Sequence, residues 1–127
     1  MKTCQLLSMF GVLLVLVFVA TLSPAQQKIS TVHGELVEVT SFVKEGIKPT
    51  SPAGKEIAKA NLGKGGALAI LDKGTNKLYL IAALPSDTTY LPRIIGYLGG
   101  NVYVKGPIMT RSGIRLITVE DIGKSLK

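Results

Sequence analysis

The chain has 127 residues, a single cysteine, no tryptophan and a formal net charge of +7, with 15 Lys and Arg against 8 Asp and Glu. That length allows one modest core and excludes a deep cleft between domains. One cysteine excludes an internal disulfide; the basic balance would attract anionic partners, but singly spaced lysines read first as a solvated surface.

Lys2 supplies a basic start, residues 10–20 form an almost unbroken apolar run, and Ser23, Pro24 and Ala25 place small residues where a signal peptidase acts. This layout predicts a secretory signal peptide over residues 1–25, cleaved between Ala25 and Gln26. Ser8, Gly11 and Thr21 interrupt the apolar stretch, which falls short of the roughly 20 apolar residues of a comfortable membrane span. Retention as an N-terminal membrane anchor is the alternative. Cys4 precedes the run, whereas a lipoprotein cysteine follows it. Cleavage after residue 25 leaves 102 residues, takes the net charge to +6 and removes the only thiol. The expectation is therefore an extracytoplasmic protein, periplasmic or secreted. It would be a single thiol-free domain over residues 26–127, with no membrane span.

Residues 31–43 read as a long first strand rich in β-branched residues. Val32 and Leu36 fall on one face and Val37, Val39 and Val43 on the other, a phase change that predicts a bulge or bend. Residues 44–54 form a loop broken by Gly46, Pro49, Pro52 and Gly54. A short helix follows, with Ser51 as cap, Pro52 in the first turn, Ala53, Ile57 and Ala60 on one face and Gly63 as stop. Residues 67–71 and 77–83 form a hairpin around the turn at 72–76. Residues 85–89 are loop, and 92–98 form a short helix ended by Gly99 and Gly100. Strands follow at 101–109 and 114–119, Val102 and Val104 facing opposite to Tyr103 and Lys105. Residues 120–127 read as a fraying polar tail. The sum is an all-β fold with minor helix: a five-stranded OB-like barrel, closed or partly open, with a short helical insertion. An SH3-like barrel is the rival.

The order Gly34-Glu35-Leu36-Val37-Glu38-Val39, then Ala58-Lys59, Gly65 and Leu68-Ala69-Ile70-Leu71, then Lys77-Leu78-Tyr79-Leu80 carries a family resemblance. So does the ending, Val102-Tyr103-Val104-Lys105-Gly106 followed by Gly113-Ile114-Arg115-Leu116-Ile117. The chain resembles a group of small exported bacterial OB-fold-like proteins of uncharacterised function. Many such proteins carry cysteine and histidine at the end of the first strand and in the helical insertion. The corresponding positions here are Ser41, Ile57, Asn61 and, approximately, Gly54. None supplies a thiolate or imidazole, so a metal or redox role is not carried over, and Ser41 and Asn61 make a poor transition-metal site.

His33 is the only histidine, with Glu35 two residues on and able to orient it. No serine or cysteine is tied to it by spacing, so no catalytic triad can be argued. A metal site would need at least three donors. Gly63-Lys64-Gly65-Gly66 follows a helix and precedes a strand, the reverse of a phosphate loop. Nucleic-acid binding is the analogy for an OB-type barrel and needs a basic groove with aromatic platforms. Lys77, Tyr79, Tyr103, Lys105 and Arg115 are the candidate binding face. Export and the lack of tryptophan argue against nucleic acid as the ligand. The expectation is a non-enzymatic binding module without a cofactor, whose partner is a protein or an anionic envelope component. A small-ligand or metal-handling protein is the alternative.

Overall fold

The computed structural model describes residues 27–83 and 90–126. The expected signal peptide with Cys4, the cleavage point at Ala25 and Gln26, and the loop at 85–89 lie outside the described residues.

Strand β1 (Ile29–Glu38) is the organising element. One edge pairs antiparallel with β4 (Asn101–Arg111) along residues 29–35, and the other with β2 (Leu68–Asp72) along residues 34–38. β2 turns into β3 (Leu78–Ala82), which pairs in parallel with β5 (Ile114–Thr118). β5 returns antiparallel to β4. The circuit β1-β2-β3-β5-β4-β1 is a closed five-stranded, OB-like barrel. At Gly34 β1 is paired on both edges, and a Cβ there would run into the Leu71 carbonyl oxygen.

The predicted bulge in β1 is not present. Register is continuous along both edges, and residues 39–43 are not strand. The chain enters helix α1 (Val39–Glu45), because the Glu38 carboxylate accepts the Thr40 and Ser41 N–H groups and caps a first turn. Gly46, in the left-handed region, closes that helix. The phase change has a different cause: β1 is buried on both faces near its end. Val32 and Leu36 point into the barrel, where they meet Ile70, Val102, Val104 and Ile117. Val37 points outward with Ala69 and Leu71, beneath Val39 and Phe42 of α1. Each fully buried aliphatic side chain contributes about 1.5–3 kcal/mol.

Helix α2 (Pro52–Gly63) starts as its sequence predicts, the Ser51 hydroxyl accepting the Gly54 N–H at 3.0 Å with Pro52 in the first turn. The face it buries is not the one that carries the recurring Ala53, Ile57 and Ala60. Gly54, Ala58 and Leu62 point inward, and Ala53, Ile57 and Ala60 are exposed. Gly54 decides this, since its Cα sits against the Lys48 carbonyl and admits no side chain. Helix α3 (Tyr90–Ile95) begins two residues before the expected start and ends at Ile95, a turn carrying the chain to Gly99. Ile94, Leu98, Ala58 and Leu62 join the main core.

The polar tail is also corrected. Residues 121–124 form β6 (Asp121–Lys124), antiparallel to Val102–Lys105 of β4. Val119 and Ile122 are buried, and that burial holds the segment in place despite Glu120 and Asp121. Six strands are present among the described residues.

Candidate functional site

The five residues of the expected binding face do not share one surface. Tyr79 packs against the main core, and the Arg115 guanidinium lies 5.9 Å from its ring centroid, a cation–π contact at one end of the barrel. Tyr103 and Lys105 alternate with buried Val102 and Val104, so they lie on the outer side of the wall. Lys77 is exposed just before β3, its carbonyl accepting the Asp72 N–H. No stacking platform joins the two tyrosines.

Tyr103 belongs instead to an outer cluster. Its ring covers Gly123, where a Cβ would fall 2.8 Å from the ring. Its hydroxyl donates to Asp121 Oδ2 at 3.1 Å, and that bond, with the carboxylate charge, raises the Tyr103 pKa above its usual 10.0. The His33 ring is tilted beside it, with centroids 6.2 Å apart, and His33 Nδ1 lies 3.0 Å from Ser125 Oγ. Glu35 does not orient His33 but faces Lys48 Nζ at 3.3 Å. No group of three His, Cys, Asp or Glu able to hold a metal ion occurs among the described residues.

Sequence reasoning missed the strongest polar cluster, which centres on Glu38. This carboxylate is fully buried at the end of the inner row of β1. Oε1 accepts the Thr40 N–H at 2.9 Å, and Oε2 accepts the Ser41 N–H at 2.8 Å, the Ser41 hydroxyl at 2.8 Å and the Asn61 amide at 2.9 Å. Burial pushes the carboxyl pKa up, but these hydrogen bonds outweigh it and lower the value to about 2. Ser41 and Asn61, two of the positions singled out by the family resemblance, thus meet around one carboxylate. Ile57 is 40% exposed and Gly54 is packed on the Lys48 carbonyl, so neither joins them. The signal in the sequence was a charged residue in register with the apolar inner row, four residues after Gly34. The cluster ties β1, α1 and α2 together and leaves its oxygens engaged.

Two concavities lie at opposite ends of β4. On the outer face of the β4–β5 hairpin, Met109, Arg111, Ile114 and Leu116 line a groove of about 710 Å³. Met109 is 45% and Ile114 60% exposed there, an unusual display of large apolar side chains beside a guanidinium. The Gln27 amide reaches Met109 Sδ at 3.6 Å, so the described chain begins at this groove. At the other end a hollow of about 400 Å³ opens between α2, the turn after α3 and the end of β6. Among the described residues no helix is long and apolar enough to cross a membrane.

No family model, no curated protein and no solved structure matches the chain.

Proposed function

We propose that this protein is a non-enzymatic binding module that works outside the cytoplasm and holds an anionic, amphiphilic component of the cell envelope. The observation that carries the reading is the hairpin groove, where exposed Met109 and Ile114 form an apolar floor beside Arg111. An apolar floor with a cationic rim suits a partner that is acidic at one end and greasy at the other. The wider charge balance supports it. Of the acids that oppose 15 cations, Glu38 is buried inside the fold, and Glu35 and Glu56 are matched by Lys48 and Lys59. The remaining field is basic and attracts anions over about a Debye length. The basic start, apolar run and small residues of 1–25 support export of a processed chain.

Co-sedimentation with anionic vesicles tests the site. Protein exported from an expressing bacterium is used, and its intact mass reports cleavage after residue 25. Arg111→Gln and the double change Met109→Ser, Ile114→Ser are each expected to weaken vesicle binding several-fold, while Lys64→Gln leaves it nearly unchanged. Equal binding by all of these proteins would remove the groove from the account.

A further inference from the structure

The hollow at the far end of β4 has a different chemistry from the hairpin groove. Lys55 from α2 and Lys124 from β6 both line it, together with Asn101 and Ser125, and no carboxylate is among its lining residues. The ion pairs of the described residues are Lys48–Glu35 and Lys59–Glu56, so neither Lys55 nor Lys124 is neutralised by them. Two cationic residues lining one small volume make it attractive to an anion.

The local backbone is shaped around this arrangement. Gly99 has φ +84°, a conformation L side chains rarely adopt. A Cβ at that position would run into the Pro49 carbonyl oxygen and the Lys55 Cε. With no side chain at 99, the Lys55 stem lies across the turn beside the Pro49 carbonyl. Ser125 is tied to Asn101 by its backbone N–H at 2.9 Å, and its hydroxyl lies beside His33 Nδ1. A volume of about 400 Å³ falls within the range of small-ligand sites.

We infer that this hollow is a binding site for a phosphate monoester, with Lys55 and Lys124 meeting the dianionic head. Lysine acts as a compact point charge toward phosphate and needs no planar match. Tyr97 and Leu126 supply apolar wall for the organic part of the ligand. The phosphate can belong to a soluble metabolite or to a lipid headgroup, and the same two lysines serve either. This site is separate from the hairpin groove and does not depend on it.

The test is titration of the full-length, isotope-labelled chain followed by amide chemical shifts. Glycerol 3-phosphate is one arm and short-chain phosphatidic acid the other, with sodium sulfate and sodium chloride as comparison anions. Saturable shifts clustered at residues 97–101 and 124–126 are expected. Lys55→Gln and Lys124→Gln should each weaken affinity about tenfold, and the double variant should abolish saturation with its spectrum otherwise intact. Lys64→Gln, outside both concavities, should leave the shifts at residues 97–101 and 124–126 unchanged, while any ligand in the hairpin groove shifts residues 109–116 instead, so failure of one site is separable from failure of the other. A stronger response to the soluble ester assigns a metabolite, and a stronger response to the lipid assigns a headgroup. Shifts that are linear, spread over all lysines or equal for chloride would overturn the inference, as would unchanged affinity in the double variant.

Discussion

Asn61, near the end of α2, donates its side-chain amide to Glu38 Oε2, at the end of β1, across 23 residues of sequence. That bond closes the insertion between β1 and β2 onto the barrel. It also completes a shell in which every bond to the carboxylate comes from the insertion. A buried carboxylate with four donors is stable only while the donors remain.

Replacing Asn61 by Ala should therefore destabilise the fold by about 1–2 kcal/mol, the other three donors remaining in place. Urea unfolding followed by tyrosine fluorescence would show the midpoint falling with little change in slope. A midpoint equal to that of the native chain would mean that the bond contributes nothing.

The same cluster sets an acid limit. The folded Glu38 carboxyl titrates near 2, below its ordinary 4.5. A depressed carboxyl contributes stability that is complete above its unfolded value and is lost as pH falls toward the folded one. The contribution is on the order of 3 kcal/mol, present above about pH 5 and gone near pH 2. Stability measured across this window should fall more steeply for the native chain than for Glu38→Gln, which is less stable at neutral pH. Parallel pH profiles would refute the assignment.

The closing points of the barrel make a sharper contrast. Gly34 and Gly106 sit against the carbonyl oxygens of Leu71 and Thr118, whereas Gly63 has open space around its Cα. Gly34→Ala should cost about 1–3 kcal/mol or more through forced displacement of a paired strand. Gly63→Ala should be neutral or stabilising by up to about 1 kcal/mol, through helix propensity. Thermal unfolding of the two variants would separate them, and equal losses would contradict the strand pairing at Gly34.

How far these features could be read in advance differs element by element. The OB-like circuit was legible because Leu68 to Leu71, Leu78 to Ala82 and Val102 to Val104 are apolar runs bounded by turn residues. The N-terminus of α2 was legible because Ser51 and Pro52 act locally. The end of β1 was misread. Val39 and Val43 favour strand, whereas the forward reach of the Glu38 carboxylate to the Thr40 and Ser41 N–H groups caps a helix there. The buried side of α2 was not legible, because Ala53, Ile57 and Ala60 recur at helical spacing as well as Gly54, Ala58 and Leu62. The close approach of Gly54 to Lys48 decides between them, and it is tertiary. β6 was hidden by Glu120 and Asp121, whose charges mask the burial of Val119 and Ile122. The candidate face failed as a unit because sequence spacing does not reveal on which side of a barrel wall Tyr79 and Tyr103 fall.

Tyr103 offers a spectroscopic check of that outer wall. Its hydroxyl is held by Asp121, which keeps the phenol protonated above the usual pH. Tyr103 should ionise late in an ultraviolet titration, and Asp121→Asn should bring it back toward the ordinary value. An unaltered titration curve in that variant would place Tyr103 away from Asp121.

The most direct measurement of the central claim is the bound fraction of the protein on vesicles in which phosphatidylcholine is progressively replaced by phosphatidylglycerol. The account predicts binding that rises with the anionic fraction and declines as salt is raised, because Arg111 and the surrounding cations contribute through screened attraction. Equal binding to neutral vesicles, or no binding to anionic ones at low salt, would contradict it.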